Sequence, residues 1–200
     1  MTIAHQILAF PSVIMGFDLQ GAYDPDQLVD EEIVPHALMG NAQPGDGSSS
    51  GKGINYLHTR PEVKLMLQNC VDEYTNKMSQ ETLAIANSWI NRASQGTFTN
   101  LHRHEGSVIS GAFYPKVEGE GSSPLILHTP LAAHTFNTFY TQDNDLNASY
   151  CQVPATQGML WLFPSWLNHH TEPTQTNSRW VISFNTYPRE RYIPTNLDTL

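Results

Sequence analysis

The 200-residue chain has few cysteines and few charged side chains. Its two cysteines, Cys70 and Cys151, lie far apart and form no CxxC motif, which argues against a disulfide framework and against a thiolate zinc site. Charged residues make up only 14% of the chain, the net charge is −9, and lysine and arginine form no cluster. Such a surface repels phosphate backbones, so we expect no nucleic-acid partner.

Long hydrophobic runs are also missing. No apolar stretch approaches the roughly 20 residues that span a bilayer, and the apolar N-terminus has neither the basic start nor the cleavage site of a signal peptide. We therefore predict a soluble, cytoplasmic protein without a membrane partner. The glycine-rich residues 40–56 are not a phosphate-binding loop, because Asp46 stands where GxxxxGK requires its first glycine. They are predicted to form a flexible surface loop.

The pattern of apolar residues predicts one long helix. Thr59 is a candidate N-cap, with Pro61 in the first turn and Glu62 three residues after the cap. Apolar residues then recur at steps of three and four as far as Met78, which indicates one buried face. We expect this helix to pack on a sheet.

Short apolar runs between glycines, prolines and asparagines predict a sheet-rich remainder of the chain. An opening strand is expected within residues 6–19. The other predicted strands are residues 88–91, 97–104, 107–114, 124–128, 149–153, 158–163 and 179–187. This pattern favours a mainly β (α+β) jelly-roll fold in a single domain, residues 1–200, with an N-terminal region, 1–87, and a barrel core, 88–188.

The stretch NLHRHEGS contains the first candidate metal ligands. Alternation along an extended strand places Asn100, His102 and His104 on one face and Glu105 on the other. A solvated edge strand would show the same polar face. A second cluster, GMLWLFPSWLNHHTEP, follows a predicted strand with His169 and His170. Because neutral imidazole binds first-row metals well, a histidine from this cluster could complete a site with the HxH pair.

The stretch SRWVISFN separates into two faces. Trp180, Ile182 and Phe184 form an apolar face that suits packing under the helix, whereas Arg179 and Ser183 lie on the opposite, inner face. A guanidinium inside a barrel is costly unless it meets an anion. Its partner is either a ligand carboxylate or one of the 19 acidic residues.

Together these motifs resemble the oxygenases that depend on iron(II) and 2-oxoglutarate. The sequences SWIN, HRHEGSVISGAFY, LFPSWLNHHTEP and RWVISFN are similar to a subfamily found in bacteria and phages, with the pattern SWxN, HxHxxSxxSGxYY, FPSWLxHxVxP and RxSISFN. The resemblance covers about residues 62–188, and LAFPSVI near the start looks like the opening strand of that subfamily. It implies a double-stranded β-helix, which is a cupin-like jelly roll, with supporting helices.

The resemblance also implies an activity and roles for particular residues. His169 would be the distal iron ligand, and Arg179 would bind the distal carboxylate of 2-oxoglutarate with help from Ser183. The implied enzyme is a dioxygenase that consumes O2 and 2-oxoglutarate, releases succinate and CO2, and hydroxylates a substrate. The sequence indicates neither that substrate nor the oligomeric state.

At position 104 the chain departs from the wider superfamily, which carries HxD or HxE where this sequence has His102 and His104. Three arrangements are open: a three-histidine site with His169, a two-histidine site completed by water, or an irregular strand that turns Glu105 inward. We favour His102, His104 and His169 as metal-binding and catalytic residues. The alternatives to a 2-oxoglutarate enzyme are a cupin-type dioxygenase with three histidines and a non-catalytic jelly-roll protein.

Overall fold

A computed structural model describes residues 12–29, 32–52, 55–78, 80–130 and 148–191. The described part of the chain contains two α-helices, two short 3-10 helices, Ser50–Lys52 and Tyr56–Thr59, and eleven strands. The helices are α1 (Pro25–Leu28) and α2 (Pro61–Lys77). The strands are β1 (Met15–Asp18), β2 (Met39–Gly40), β3 (Gly47–Ser48), β4 (Leu83–Ala93), β5 (Phe98–His102), β6 (Ile109–Glu118), β7 (Leu125–His128), β8 (Tyr150–Val153), β9 (Met159–Pro164), β10 (His169–Thr171) and β11 (Ser178–Pro188).

The strands form two antiparallel sheets. The first has six strands in the order β1-β9-β6-β11-β4-β3, and the second has five in the order β2-β5-β10-β7-β8. Neighbouring strands such as β6 and β11 are far apart in the sequence, which is typical of jelly-roll connections. This architecture confirms the predicted mainly β, double-stranded β-helix fold. None of the helices in the described ranges has the length and apolar character needed to cross a membrane.

Helix α2 packs on the six-stranded sheet, as its periodicity predicts. Leu67, Val71 and Tyr74 are buried in one cluster with Ile182 and Phe184 of β11, so the apolar face of SRWVISFN does lie under the helix. The predicted cap is wrong by one residue. Arg60 occupies the N-cap position without a side-chain cap, and the Thr59 hydroxyl donates instead to the Tyr56 carbonyl. A second cluster, which includes Ala112, Tyr114, Leu125 and Phe163, fills the space between the sheets.

The observed strands differ from the predicted ones where sheet pairing overrides the local pattern. β4 begins at Leu83, because Leu83 to Ala93 pair with β11 along its whole length. β5 ends at His102, two residues before the predicted end. The three-residue strand β10 was not predicted, since the sequence around it looks like a loop. Residues 6–11 of the predicted opening strand lie outside the described residues.

The glycine-rich loop is only partly at the surface. Asp46, Ser48 and Ser49 are buried, and β3 pairs with β4, so this part of the segment is a packed element and the prediction of a flexible surface loop is wrong for it. The Asp46 carboxylate accepts hydrogen bonds from Thr97 Oγ1 at 2.6 Å and Ser94 Oγ at 2.9 Å. Arg92 Nη1 lies 3.2 Å from its other oxygen. These contacts fasten the segment to the connection between β4 and β5.

Replacing Asp46 with alanine is expected to lower the free energy of unfolding by about 2–4 kcal/mol, because the buried donors lose a charged acceptor. Burial acts to raise the pKa of Asp46, but hydrogen bonds from Thr97, Gln43 and Ser94 hold the pKa below 3.8. The contribution is therefore complete above about pH 4 and is lost as the pH falls through the lowered pKa. Urea unfolding at pH 7 and pH 3 measures both effects.

A matched control is Asp26→Ala, which removes an exposed carboxylate that pairs with Lys116 at 2.9 Å. Such surface pairs contribute little, so this variant should unfold close to the wild type. Equal stability of the two variants would contradict a structural role for the buried carboxylate.

Candidate active site

Two of the candidate ligands are brought together by strand pairing. His169 begins β10 and lies opposite His102, the last residue of β5, in an antiparallel register. Their ring centroids are 4.2 Å apart. Each ring points one nitrogen at the backbone: His102 Nδ1 is 2.8 Å from the Asn100 carbonyl, and His169 Nδ1 is 2.9 Å from the Leu167 carbonyl. The Nε2 atoms of both rings are left to face a ligand.

His104 joins this pair from outside the strand. Its backbone N–H donates to the Ser165 carbonyl at 3.0 Å, and the chain then turns through Gly106, whose φ of 81° suits glycine. His104 Nε2 lies 3.3 Å from His169 Nε2. Ligand nitrogens of His102, His104 and His169 all lie within 4.8 Å of one another.

These three imidazoles are suited to hold a metal ion. Burial, with a smaller contribution from the neighbouring histidines, lowers the pKa of His169 to about 3 and that of His104 to about 4. Burial also lowers the pKa of His102. Because metals bind neutral imidazole, all three are ready to bind at pH 7. Two nitrogens about 2.1 Å from one ion lie about 3.0–3.4 Å apart at ordinary ligand angles, and the His104–His169 separation falls in this range.

No carboxylate belongs to the metal-ligand cluster among the residues that the structure describes. The Glu105 side chain is 75% exposed and accepts a hydrogen bond from Arg103 Nε at 3.0 Å. The structure therefore keeps Glu105 on the outside, which speaks against the third arrangement considered for the sequence.

Arg179 lies in the same cavity as the three histidines, which has a volume of about 370 Å³. This volume falls within the ordinary range of small-molecule sites. Arg179 is only 2% exposed. Its Nη1 donates to the Ser123 carbonyl at 2.8 Å, but its buried Nε has no partner among the described residues. None of the described acidic residues pairs with this guanidinium, so a charged group in the protein interior still needs an anion.

Two hydroxyl groups near Arg179 add to this anion site. Thr171 Oγ1 is 3.5 Å from Arg179 Nη2. Tyr114 lines the cavity; burial raises its pKa, while the Arg179 charge acts in the opposite direction. Ser183, the residue predicted to assist, also lines the cavity, but it stands four residues from Arg179, about 13 Å along the strand. Its role stays a prediction.

Sequence reasoning gave no role to Trp89. The Trp89 indole stacks on the His104 ring, with centroids 5.4 Å apart and an angle of 14° between the planes. Trp89 belongs to the motif SWIN, and its position in that motif was the only available signal. The segment that leads into β2 also reaches the site, since His36, Leu38 and Met39 line the cavity.

Acidification is expected to destabilise the metal-free protein between pH 6.5 and pH 4. Folded His104 and His169 have a lowered pKa, whereas in the unfolded chain these residues titrate near 6.5. The unfolded state therefore binds more protons in this window, and the free energy of unfolding decreases as the pH is lowered. Urea unfolding of chelator-treated protein at pH 7.5, 6 and 5 measures this slope, which His104→Gln should reduce. Constant stability across the window would contradict buried, neutral histidines.

Neutral imidazoles and a buried guanidinium that open on one cavity of a double-stranded β-helix define a class of protein, the metal-dependent oxygenases that also bind a small anion. Residues 87–185 match a family model described as "Putative 2OG-Fe(II) oxygenase". The chain belongs to this family of 2-oxoglutarate and Fe(II)-dependent oxygenases. Membership of this family implies Fe(II) as the cofactor and 2-oxoglutarate and O2 as the cosubstrates. No curated protein matches the chain in a sequence comparison.

Two solved structures with low sequence identity share the fold. A prolyl hydroxylase from Trichoplax adhaerens, in complex with a peptide of hypoxia inducible factor, is 13% identical with a TM-score of 0.56, and the match covers 88% of this chain and 84% of that one. HygX from Streptomyces hygroscopicus, with nickel and 2-oxoglutarate bound, is 11% identical with a TM-score of 0.56 and coverages of 89% and 84%. The chain spans 57% of a Burkholderia pseudomallei oxidoreductase of the 2OG-Fe(II) oxygenase family, at 10% identity, a TM-score of 0.48 and 64% coverage of this chain.

Proposed function

We propose that the enzyme hydroxylates its substrate at an Fe(II) ion held by His102, His104 and His169, with the distal carboxylate of 2-oxoglutarate bound by Arg179. The single observation that carries this proposal is the shared cavity. It joins three buried, neutral imidazoles to a guanidinium that lacks a protein anion among the described residues. One small ligand with a carboxylate at one end and metal-binding oxygens at the other satisfies both.

Arg179 is the residue that would select 2-oxoglutarate. A planar guanidinium binds a carboxylate through two parallel hydrogen bonds, and its unpartnered Nε is available for one of them. Nη1 is fixed by the Ser123 carbonyl, so the fork is already oriented before the ligand arrives. Thr171 and Tyr114 offer hydroxyl groups in the same cavity and would complete the site.

When bound, Fe(II) and 2-oxoglutarate would supply the activation of O2 that converts 2-oxoglutarate to succinate and CO2 and adds a hydroxyl group to the substrate. The protein's own residues do the rest. The three histidines stay neutral and hold the ion, Arg179 and its hydroxyl neighbours orient the cosubstrate, and Phe163 and Leu125 line the cavity with apolar surface that limits access of water.

We also propose that residues 1–200 act as one oxygenase domain in the cytoplasm of a bacterium or of a cell infected by a phage. The barrel carries the site, and the region before β4 supplies the His36–Met39 segment that covers part of the cavity.

Succinate formation tests the proposal without a known substrate. Purified protein supplied with Fe(II), 2-oxoglutarate, ascorbate and O2 should release succinate slowly by uncoupled turnover, and the release should stop when a chelator removes the metal. The variant His169→Ala should form no succinate above the protein-free background. Succinate release by that variant at the wild-type rate would contradict the proposed site.

The cupin-type alternative shares the three-histidine site and differs in the role of Arg179. Such an enzyme would oxidise a substrate without 2-oxoglutarate and would have no use for a buried guanidinium open to the cavity. O2 consumption that is independent of 2-oxoglutarate would favour this alternative.

A further inference from the structure

The three histidine rings of the site are held in different ways. In His102 and His169, Nδ1 lies within 2.9 Å of the backbone carbonyl of the residue two positions earlier. Such an outer hydrogen bond fixes the orientation of a ligand histidine. His104 lies two residues beyond the end of β5, so strand pairing does not fix the plane of its ring.

Two other rings lie nearly parallel to the His104 imidazole. The Trp89 indole has a centroid distance of 5.4 Å, and the His169 imidazole has one of 5.1 Å, each with 14° between the planes. Both separations are those of offset-stacked rings, for which parallel planes are favourable. Rotation of the His104 ring out of this plane would disturb both contacts. It would also move Nε2 away from His169 Nε2, which is 3.3 Å distant.

The indole projects from a firmly held part of the sheet. Trp89 lies near the middle of β4, which pairs with β11 along its whole length, and its side chain lines the cavity. Its two neighbours, Ser88 and Ile90, are buried on the opposite face. Ser88 Oγ accepts the Leu57 N–H at 2.8 Å, and the Ile90 N–H donates to Ser49 Oγ at 3.0 Å. These contacts fix the backbone from which the indole reaches His104.

We propose that Trp89 is the positioning residue for His104, and that its indole holds the imidazole in the plane that directs Nε2 toward His169 and the metal. An imidazole that shares its lone pair with a metal cation becomes partly positive, which strengthens its attraction to the electron-rich face of an indole. Trp89 thus does for the third histidine what backbone carbonyls do for His102 and His169. This inference rests on the proposed three-histidine site.

The ring stack in the metal-free protein is the first test. Nuclear Overhauser effects between the Trp89 indole protons and the His104 ring protons should appear in spectra of the wild type at pH 7. The indole should also shift the His104 ring protons upfield. The two sets of signals are assigned by their loss in Trp89→Phe and in His104→Gln. Absence of Overhauser effects between these rings would overturn the proposal before any metal is added.

Metal affinity is the second test. Trp89→Leu removes the flat ring and should weaken Ni(II) binding by about 10-fold or more, as loss of an outer partner does. Trp89→Phe keeps an aromatic face and should stay within about 3-fold of the wild type. The control is Trp166→Leu, which removes an indole that is 49% exposed and lies outside the cavity lining. Its Ni(II) affinity should equal that of the wild type. Calorimetric titration measures all four proteins.

A double-mutant cycle distinguishes positioning of His104 from a general structural role. If Trp89 acts through His104, Trp89→Leu should have little further effect on Ni(II) affinity in a His104→Ala background. Equal losses of affinity in the wild-type and His104→Ala backgrounds would mean that the indole acts through the fold or the cavity wall. That result would overturn the proposal.

The outcomes also separate this inference from the proposed function. If His104→Ala binds Ni(II) as tightly as the wild type, the three-histidine site itself is wrong, and the role of Trp89 falls with it. If His104→Ala weakens binding but Trp89→Leu does not, the site stands and the role of Trp89 is wrong. Should Trp89→Leu fail to fold, Trp89→Met, whose flexible side chain adapts to the space left by the indole, takes its place in the cycle.

Discussion

Replacing Arg179 with glutamine is expected to raise the 2-oxoglutarate concentration needed for half-maximal succinate release by about 30-fold or more. Loss of one partner from a buried, hydrogen-bonded charge pair costs about 2 kcal/mol at least, and Arg179 is the buried cation that lines the cavity without a protein anion among the described residues. Ni(II) affinity in the absence of 2-oxoglutarate should not change. Arg179→Lys should recover only part of the loss, because an ammonium cannot form the two parallel bonds.

A matched control is Arg103→Gln, since Arg103 also lines the cavity. Its guanidinium is half exposed and already pairs with Glu105, so removing it should leave the 2-oxoglutarate dependence within about 2-fold of the wild type. Thermal unfolding of both variants checks that neither has lost its fold, because Arg179 also donates to the Ser123 carbonyl. Equal 2-oxoglutarate dependence in Arg179→Gln and the wild type would contradict the assigned anion site.

Replacing His169 with alanine is expected to have the largest effect on the metal. His169 is the most buried of the three histidines and contacts both of the others. Removal of a ligand should weaken Ni(II) and Fe(II) binding by at least about 100-fold, more than the loss of an outer partner costs. The metal affinity measured by calorimetric titration and the rate of succinate release should fall together. The control is His128→Ala, a histidine that pairs with His170 at 3.0 Å and does not belong to the cluster.

Substitutions at position 104 distinguish the two remaining arrangements of the site. His104→Asp creates the two-histidine, one-carboxylate set that iron oxygenases commonly use, so it should keep Fe(II) affinity within about 10-fold. His104→Ala should weaken binding if three histidines hold the ion. Wild-type affinity in His104→Ala would instead favour two histidines and a water molecule.

The sequence could predict the parts of the fold that depend on the spacing of apolar and polar residues within a single strand or helix. The faces of β11 follow from strict alternation, so the placement of Ile182 and Phe184 under α2 and of Arg179 inside the barrel could both be predicted and are confirmed. The buried face of α2 could be predicted in the same way. The first residue of α2 could not be predicted, because the Thr59 hydroxyl donates to a carbonyl in the preceding turn and does not cap the helix N-terminus.

The parts that could not be predicted depend on contacts between distant segments. β10 has only three residues and exists because β5 and β7 pair with it on both sides. His104 was placed with His102 by strand alternation, yet it lies past the strand and reaches the cluster through a hydrogen bond to Ser165. Thr171 comes beside Arg179 only because β10 and β11 face each other across the barrel.

The most direct test of the claim that three histidines hold the iron is a crystal structure with anomalous data at the iron edge. The crystals are grown without oxygen in the presence of Fe(II) and 2-oxoglutarate. The predicted result is one iron peak about 2.0–2.3 Å from Nε2 of His102, His104 and His169, with a 2-oxoglutarate carboxylate on Arg179. A peak bound by Glu105, or no peak among the three histidines, would contradict the account.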